Sequence, residues 1–274
     1  MPETTTVNNS TTEIPALRRI LRRVKNLVLR PDAVYRLYLK LKFGSGRLAV
    51  SPEAATTNGA LKTSGEWQQA VDNAKRLRLP LHRLAEKNWD HIAAISILLA
   101  HTNPSACILD AGAEYYSNVL PALFLYGYRK LYGMNLGFVD PASRGPIRYL
   151  PGDITCTGFP DDHFDAVTCM SVIEHGVSTK NYLKEMHRVL KPDGLLITST
   201  DYYPTPIDTG GQVAHGCPIK IFSREEIEAI LTQAEEIGLQ STGDVDLECS
   251  ETPILWAPYG LEYTFLLFTL QKKT

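Results

Sequence analysis

The sequence predicts an α/β fold: a mostly parallel sheet with helices on both faces, preceded by a helical N-terminal extension. Three observations predict it. From Ala106 onward, short apolar runs alternate with helical segments, the pattern of strand–helix–strand crossovers. Turn signals punctuate them, notably Pro160-Asp161-Asp162 and Lys191-Pro192-Asp193-Gly194. Before Pro104, by contrast, apolar residues recur at helical spacing.

Each element follows in turn. Leu17, Ile20, Leu21, Val24, Leu27 and Val28 mark one side of a first helix, with arginines between them. Pro31 interrupts, and Val34 to Phe43 reads as a second helix ended by Gly44-Ser45-Gly46. Residues 51–65 are rich in Ala, Thr, Asn, Gly and Ser and read as a linker. Glu66 to Arg78 is a helix stopped before Pro80, and Asn88 is placed to cap another through Leu99. Strands are expected at 107–109, 130–135, 147–150, 164–170, 195–200 and 262–271. Between them lie a helix opened by Ser117 or Asn118, one over 179–190, and one introduced by Ser223 with Glu226 as a capping box. The domain limits are then a disordered tail over 1–13, the helical extension over 14–104 and the α/β domain over 105–274.

Composition narrows the class. The chain has 274 residues, 44% hydrophobic and 21% charged, which suits a soluble protein with one large domain and extensions. Five scattered cysteines form no C-x-x-C pair, so neither a disulfide framework nor a structural zinc site is indicated. The start, MPETTTVNNSTTE, is polar and unlike a secretory leader, and no apolar run reaches the length of a membrane span. A reducing, cytoplasmic setting is expected. The net charge of −2 is unevenly spread: residues 18–47 hold ten basic side chains and one acid, Asp32, so the rest of the chain carries a net −11. The first helix therefore either lies on an anionic membrane surface or docks its apolar side on the body and leaves its arginines in solvent. Nothing resembles a nucleic-acid motif.

In open sheets, ligands sit beyond the carboxyl ends of the strands. The residues there are Asp110 to Glu114, Asn135, Gly152-Asp153-Ile154, Ser171 to His175, and Asp201-Tyr202-Tyr203. Two of the neighbouring segments, "FPDDHFDAVTCMSVIEHG" (159–176) and "EMHRVLKPDGLLITSTD" (185–201), resemble the class I S-adenosylmethionine-dependent methyltransferases, in particular the methyltransferase type 11-like branch with its small-molecule, quinone and sugar enzymes. The resemblance covers roughly residues 105–270 and implies a Rossmann-like sheet of seven strands.

It also implies roles. Asp110 and Gly112 take the first two places of an Asp-x-Gly-x-Gly-x-Gly loop, while Glu114 and Tyr116 replace the later glycines. Losing glycines narrows the space where backbone approaches ligand. Glu114 either crowds the methionyl carboxylate or receives the methionyl ammonium. Ala113 lies in the same loop. Asn135, followed by Leu136, stands where an acid usually holds the ribose; an amide both donates and accepts, yet the residue is equally placed to cap a turn. Asp153 corresponds to the acid that accepts from the adenine amino group, with Ile154 beside the ring, although Asp is also an ordinary turn former. Ser171 and Val172 would line the cofactor.

His175 is the first candidate for a general base that takes a proton from an acceptor hydroxyl; the alternative is a histidine that fixes its loop. His215, a second candidate as base or substrate ligand, lies in a long insertion, Tyr202 to Pro218, of the kind that covers sites. Asp201, Tyr202 and Tyr203 would border the acceptor, and Glu174 would hold the loop. No His/Asp pair has ligand spacing on one element, so no metal is expected. The function implied is S-adenosylmethionine-dependent O-methylation of a small molecule or of a sugar or glycan intermediate. The alternative is a cofactor-free or weakly binding relative that serves as a scaffold.

Overall fold

A computed structural model gives the fold and describes residues 16–44, 48–54, 57–214 and 216–274. The tail expected over 1–13 and His215 lie outside the described residues. The first part of the chain supplies α1 (Ala16–Val28), α2 (Asp32–Phe43), a short strand β1 (Gly59–Ala60), α3 (Ser64–Arg76) and α4 (Asn88–His101). Next come β2 (Cys107–Ala111), α5 (Val119–Leu125), β3 (Lys130–Asn135), β4 (Ala142–Arg144), β5 (Ile147–Pro151), β6 (Phe164–Met170), α6 (Thr179–Val189) and β7 (Leu190–Tyr202). The hairpin β8 (Val213–Ala214) and β9 (Cys217–Pro218) follows, then α7 (Arg224–Glu236), β10 (Leu239–Ser241), β11 (Ile254–Trp256) and β12 (Leu261–Lys272).

The main sheet runs β1-β12-β7-β6-β2-β3-β5-β4, with β10 and β11 also paired to β12. The pairs β2–β3, β2–β6, β3–β5 and β6–β7 are parallel, whereas β12 is antiparallel to β7. The expected seven-stranded sheet is therefore present as β5, β3, β2, β6, β7, β12 and β10, and three short strands extend it. Short strands serve β12 in particular. Its outer edge would otherwise offer a long row of unpaired backbone groups. It is covered in succession by β11 at 261–263, β1 at 266–267 and β10 at 270–272.

The sheet is buried on both faces because its strands alternate between two cores. On β2, Ile108 joins one core while Cys107, Leu109 and Ala111 join the other. The first face is covered by α4 and α5 through Ile92, Ile95, Leu98, Leu120 and Phe124. The second is covered by α6 and α7 through Leu183, Met186, Ile227 and Ile230. The capping box at Ser223 and Glu226 forms as expected and starts α7.

Several elements differ from expectation for identifiable reasons. Residues 51–65 are not only linker: Gly59 and Ala60 pair with Leu267 and Leu266, and Leu61 is fully buried. Strand β7 begins at Leu190, because Asp193 adopts φ 63° and Pro192-Asp193-Gly194 bulges within the strand instead of separating it from α6. Asn88 does not cap α4. It is the first helical residue, and its amide bonds back to the carbonyls of His82, Leu84 and Ala85. The helix itself is buried on nearly all sides, not along one stripe. Helix α1 reverses the docking considered above: Leu17, Ile20, Leu21, Val24, Leu27 and Val28 are all more than half exposed. Its body-facing contacts are polar, with Arg22 over the Tyr115 ring and Asn26 bonded to Arg144. Among the described residues, no helix is long and apolar enough to cross a membrane.

Ser223→Ala removes the acceptor for the Glu226 backbone N–H and half of the capping box. Urea unfolding should show a loss of about 1 kcal/mol. A change within a few tenths would mean that tertiary packing alone fixes the start of α7.

Candidate active site

The carboxyl ends of β2, β3, β5, β6 and β7 bring the rim residues together. On β2, Asp110 is buried and accepts from Thr168 Oγ1 of β6 at 2.8 Å. Burial pushes its carboxyl up to about 6. Asp110 thus supports the loop from beneath. Gly112 turns the chain at φ 91°, and its N–H donates to Met134 O at 2.8 Å. A methyl added there would fall inside the Val172 side chain. The glycine is needed both for its dihedral angle and for this close approach. Ala113 is buried against Gly133 of β3.

The two residues that replace later glycines behave differently. The Glu114 carboxyl is half-buried and raised by that burial, while Arg22 and Arg83 oppose the shift. Tyr116 points out of the rim: it is 53% exposed, and its ring lies 5.7 Å from His82 and 5.0 Å from the Arg83 guanidinium. Asn118 precedes α5 without capping it, because its side chain is engaged with His91 Nδ1 and donates to Pro80 O at 3.0 Å.

Asn135 closes a turn and ties two loops. Its Nδ2 donates to Gly112 O at 3.1 Å, and its Oδ1 accepts from Gly137 N at 2.7 Å. Leu136 beside it is 78% exposed. Asp153 is exposed at the rim and also shapes a turn, its Oδ1 accepting from Thr155 N at 2.8 Å and Thr155 Oγ1 at 2.7 Å. That turn uses one carboxylate oxygen. Ile154 is buried in the second core.

Ser171 takes φ 53°, an unfavourable conformation for a residue with a Cβ. It is held there from three sides. Its N–H donates to Ser199 O at 3.0 Å, Lys87 Nζ donates to its Oγ at 2.6 Å, and that Oγ reaches Asp90 Oδ2 at 3.5 Å. Val172 packs on Gly112, so two motif-bearing loops about sixty positions apart in the sequence meet at the rim. His175 is exposed beside them, its backbone donating to Val172 O, its Nδ1 3.9 Å from Cys217 Sγ in the β8–β9 hairpin. His215 lies outside the described residues. Among the described residues, no three His, Cys, Asp or Glu side chains group as a metal site.

The feature that sequence reasoning missed is a buried charge cluster at the ends of β6 and β7. Lys87, just before α4, lies 3.4 Å from Asp201 Oδ1 and 3.7 Å from the centre of the Phe265 ring. Asp90 accepts from Ser199 Oγ at 2.6 Å. Glu174 accepts from Thr200 Oγ1 at 3.1 Å. Burial works against the Lys87 charge, but Asp201, Asp90 and Glu174 hold its pKa above the ordinary lysine range. Burial, with Asp201 adding to it and Lys87 opposing, pushes Glu174 up to about 8. The Tyr263 hydroxyl is pushed well up, first by burial and then by Asp201 and Glu174. One ammonium thus faces three carboxyl groups, and a proton kept on Glu174 reduces the negative surplus from two charges to one. Asp201 is part of this buried cluster, only 5% exposed. Tyr202, expected to border an acceptor, is fully buried and donates to Leu247 O at 2.7 Å, since its side chain alternates to the core face of β7. A signal for the cluster was present: Asn88, Asp90 and His91 form a polar run at the head of an otherwise apolar helix.

The proton on Glu174 has a measurable consequence. The folded chain holds it up to about 8, whereas an unfolded chain releases it near the ordinary 4.5. Between those values the folded state binds more protons, so stability falls as pH rises through that window, on the order of 1 kcal/mol per pH unit. Glu174→Gln keeps an acceptor for Thr200 and mimics the neutral acid. Urea unfolding from pH 5 to 8 should show this variant losing less stability than the wild-type chain and exceeding it at pH 8. Parallel pH dependences would mean that Glu174 is ionised throughout.

Comparison with known proteins bears on the same region. Residues 117–198 match the sequence profile of a family described as a methyltransferase domain. Over 62 residues the chain is 36% identical to the mitochondrial ubiquinone biosynthesis O-methyltransferase of Schizosaccharomyces pombe, covering 23% of this chain and 22% of that protein. Over 67 residues it is 37% identical to the demethylmenaquinone methyltransferase of Renibacterium salmoninarum, covering 24% of this chain and 28% of that protein. The matched part thus spans about a quarter of the length of these curated relatives. Among solved structures, the 1,6-didemethyltoxoflavin-N1-methyltransferase of Burkholderia thailandensis aligns with a TM-score of 0.49 at 17% identity, over 81% of this chain and 94% of that one. The profile match contains both the Glu-His loop after β6 and the Lys-Pro-Asp-Gly bulge of β7, and the Val172 contact places that loop against the glycine turn after β2: residues 117–198 are similar to a methyltransferase domain.

Proposed function

We propose that the chain transfers a methyl group from S-adenosylmethionine to a hydroxyl of a small-molecule acceptor. The observation that supports this most directly is the meeting of Gly112 and Val172 at the sheet rim, which joins the two halves of the motif. The residues present suit the cofactor. Gly112 keeps the left-handed turn and is partly exposed, and the Tyr116 ring lies toward His82 and Arg83. Asp153 offers the carboxylate oxygen that its turn does not use.

In this reading Gly112, Ala113 and Glu114 border the methionyl end. Asn135 and Leu136 face the ribose, although Asn135 already spends one donor and one lone pair on the loops. Asp153 and Ile154 border the adenine, and Ser171 with Val172 line the wall. When bound, S-adenosylmethionine supplies a methyl carried on a sulfonium, an electrophile open to in-line attack. The chain contributes orientation and proton handling. Lys87 and Asp90 fix Ser171 in its strained conformation. His175, exposed at the rim, takes the proton of the acceptor hydroxyl. Asp201, paired with Lys87, braces the wall behind the loop that carries His175.

The acceptor is proposed to carry its hydroxyl on a ring. The names of the two curated relatives, a ubiquinone biosynthesis O-methyltransferase and a demethylmenaquinone methyltransferase, support a ring over a sugar or glycan. A panel of phenolic, quinol and sugar acceptors with labelled cofactor decides between them, and labelling of sugars alone would overturn the ring.

Two variants test the assigned roles. S-adenosylhomocysteine at a hundredfold excess over its Kd should stabilise the folded chain by about 2.7 kcal/mol. No shift at millimolar ligand would favour the cofactor-free scaffold. Asp153→Asn keeps the turn acceptor but turns the other oxygen into a donor, so calorimetry should show tenfold or weaker binding, about 1.4 kcal/mol, with Tm unchanged. His175→Ala should leave binding intact and slow transfer by about a hundredfold; normal turnover would remove it as the base.

A further inference from the structure

Helix α1 presents two surfaces that the proposed chemistry leaves unused. One is its apolar stripe, which runs from Leu17 to Val28, about 16 Å along the axis, and faces outward. The other is a groove of about 950 Å³ between α1 and the β4–β5 edge of the sheet. Four arginines of the α1 segment, Arg19, Arg22, Arg23 and Arg30, line this groove together with Arg148 of β5. Its one acidic lining residue, Asp140, is paired with Arg23 at 2.5 Å. Ile20, Leu27 and the 63% exposed Val139 also line it, so the arginine groove opens directly beside the apolar stripe.

We propose that this face docks on an anionic lipid bilayer, with the α1 stripe entering the headgroup boundary and a lipid phosphate held by the arginine groove. A helix with an apolar side and a strongly basic side lies in the plane of such an interface. Basic residues near an anionic surface each add affinity that weakens as salt rises. The charge distribution supplies orientation as well as affinity: residues 18–47 carry a net +9 and the rest −11, so the chain approaches a negative surface with α1 leading. A second copy of the chain fits poorly. A two-fold contact through α1 would set two such positive segments against each other, and a single stripe of this length falls short of the roughly 1,200 Å² of a stable interface. Docking also concerns the candidate site, because Tyr115 of the glycine-turn loop is part of the groove wall.

Sedimentation with vesicles tests the proposal on the full chain. Vesicles of phosphatidylcholine with about 30 mol % phosphatidylserine should bind the chain at least tenfold more than phosphatidylcholine alone, and less as salt rises. Leu21→Gln with Val24→Gln changes only exposed side chains, and Arg19→Gln with Arg30→Gln changes only the groove. Each pair should lower vesicle binding by about tenfold or more. Tm and the stabilisation by S-adenosylhomocysteine should stay at wild-type values, which separates this result from the fate of the methyltransferase reading. Equal binding to both vesicle types, or variants that sediment like the wild type, would overturn the proposal. So would inorganic phosphate raising Tm in a chain that ignores vesicles, which would indicate a free-phosphate site. A dimer that dissolves with Leu21→Gln and Val24→Gln, without vesicle binding, would assign the stripe to a second copy.

Discussion

The site depends on keeping an ammonium charge at the end of a parallel sheet where water is largely excluded. Lys87 Nζ satisfies Ser171 Oγ and Asp201 and sits on the Phe265 ring. Removing one member of a buried ion pair leaves an uncompensated charge and costs several kcal/mol. The arrangement is therefore close to all-or-none. It couples three parts of the chain that are distant in sequence: the head of α4, the loop after β6 and the end of β7. Since Ser171 is strained at φ 53°, the same bonds that satisfy Lys87 also fix the wall on which Val172 meets Gly112. The helical segment before β2 is thus part of the rim's construction.

Asn135 shows how a drifted motif can keep its shape. An acid there would have no donor for Gly112 O, and the carbonyl would need another partner. The amide supplies the donor and also accepts from Gly137, so the glycine turn is braced from β3. Glu114 and Tyr116 follow the same logic. With later glycines absent the chain cannot continue as a tight left-handed loop, and the two side chains diverge. Arg22 and Arg83 oppose the burial of the Glu114 charge, while the Tyr116 ring lies by His82 and Arg83.

What was legible in the sequence follows from the range of the forces involved. Period and turn chemistry are local, so the parallel strands, the Ser223 capping box and the glycine at 112 were readable. The added strand β1 was not, because Gly59 and Ala60 have no strand pattern of their own and are recruited by the open edge of β12. Tyr202 was misplaced for a simpler reason: strand alternation decides its face, and β7 starts earlier than the Lys-Pro-Asp-Gly bend suggested. Lys87 was invisible because its partners lie 84 and 114 positions away. Only the unusual polarity of Asn88, Asp90 and His91 hinted that something charged was to be satisfied there.

The orientation of α1 makes the same point from the opposite side. Hydrophobic periodicity states that a helix has two faces, but not which one the body will take. Here the body offers Tyr115, Asp140 and Arg144, a polar and aromatic surface that rewards guanidinium and amide groups over methyls. The polar side docks and the apolar side is left outside. An exposed stripe of six large aliphatic side chains is more than scattered surface hydrophobes explain. A chain that places its basic end and its apolar stripe on one face, beside the loop that carries Gly112, has the physical means to work at an interface between water and lipid.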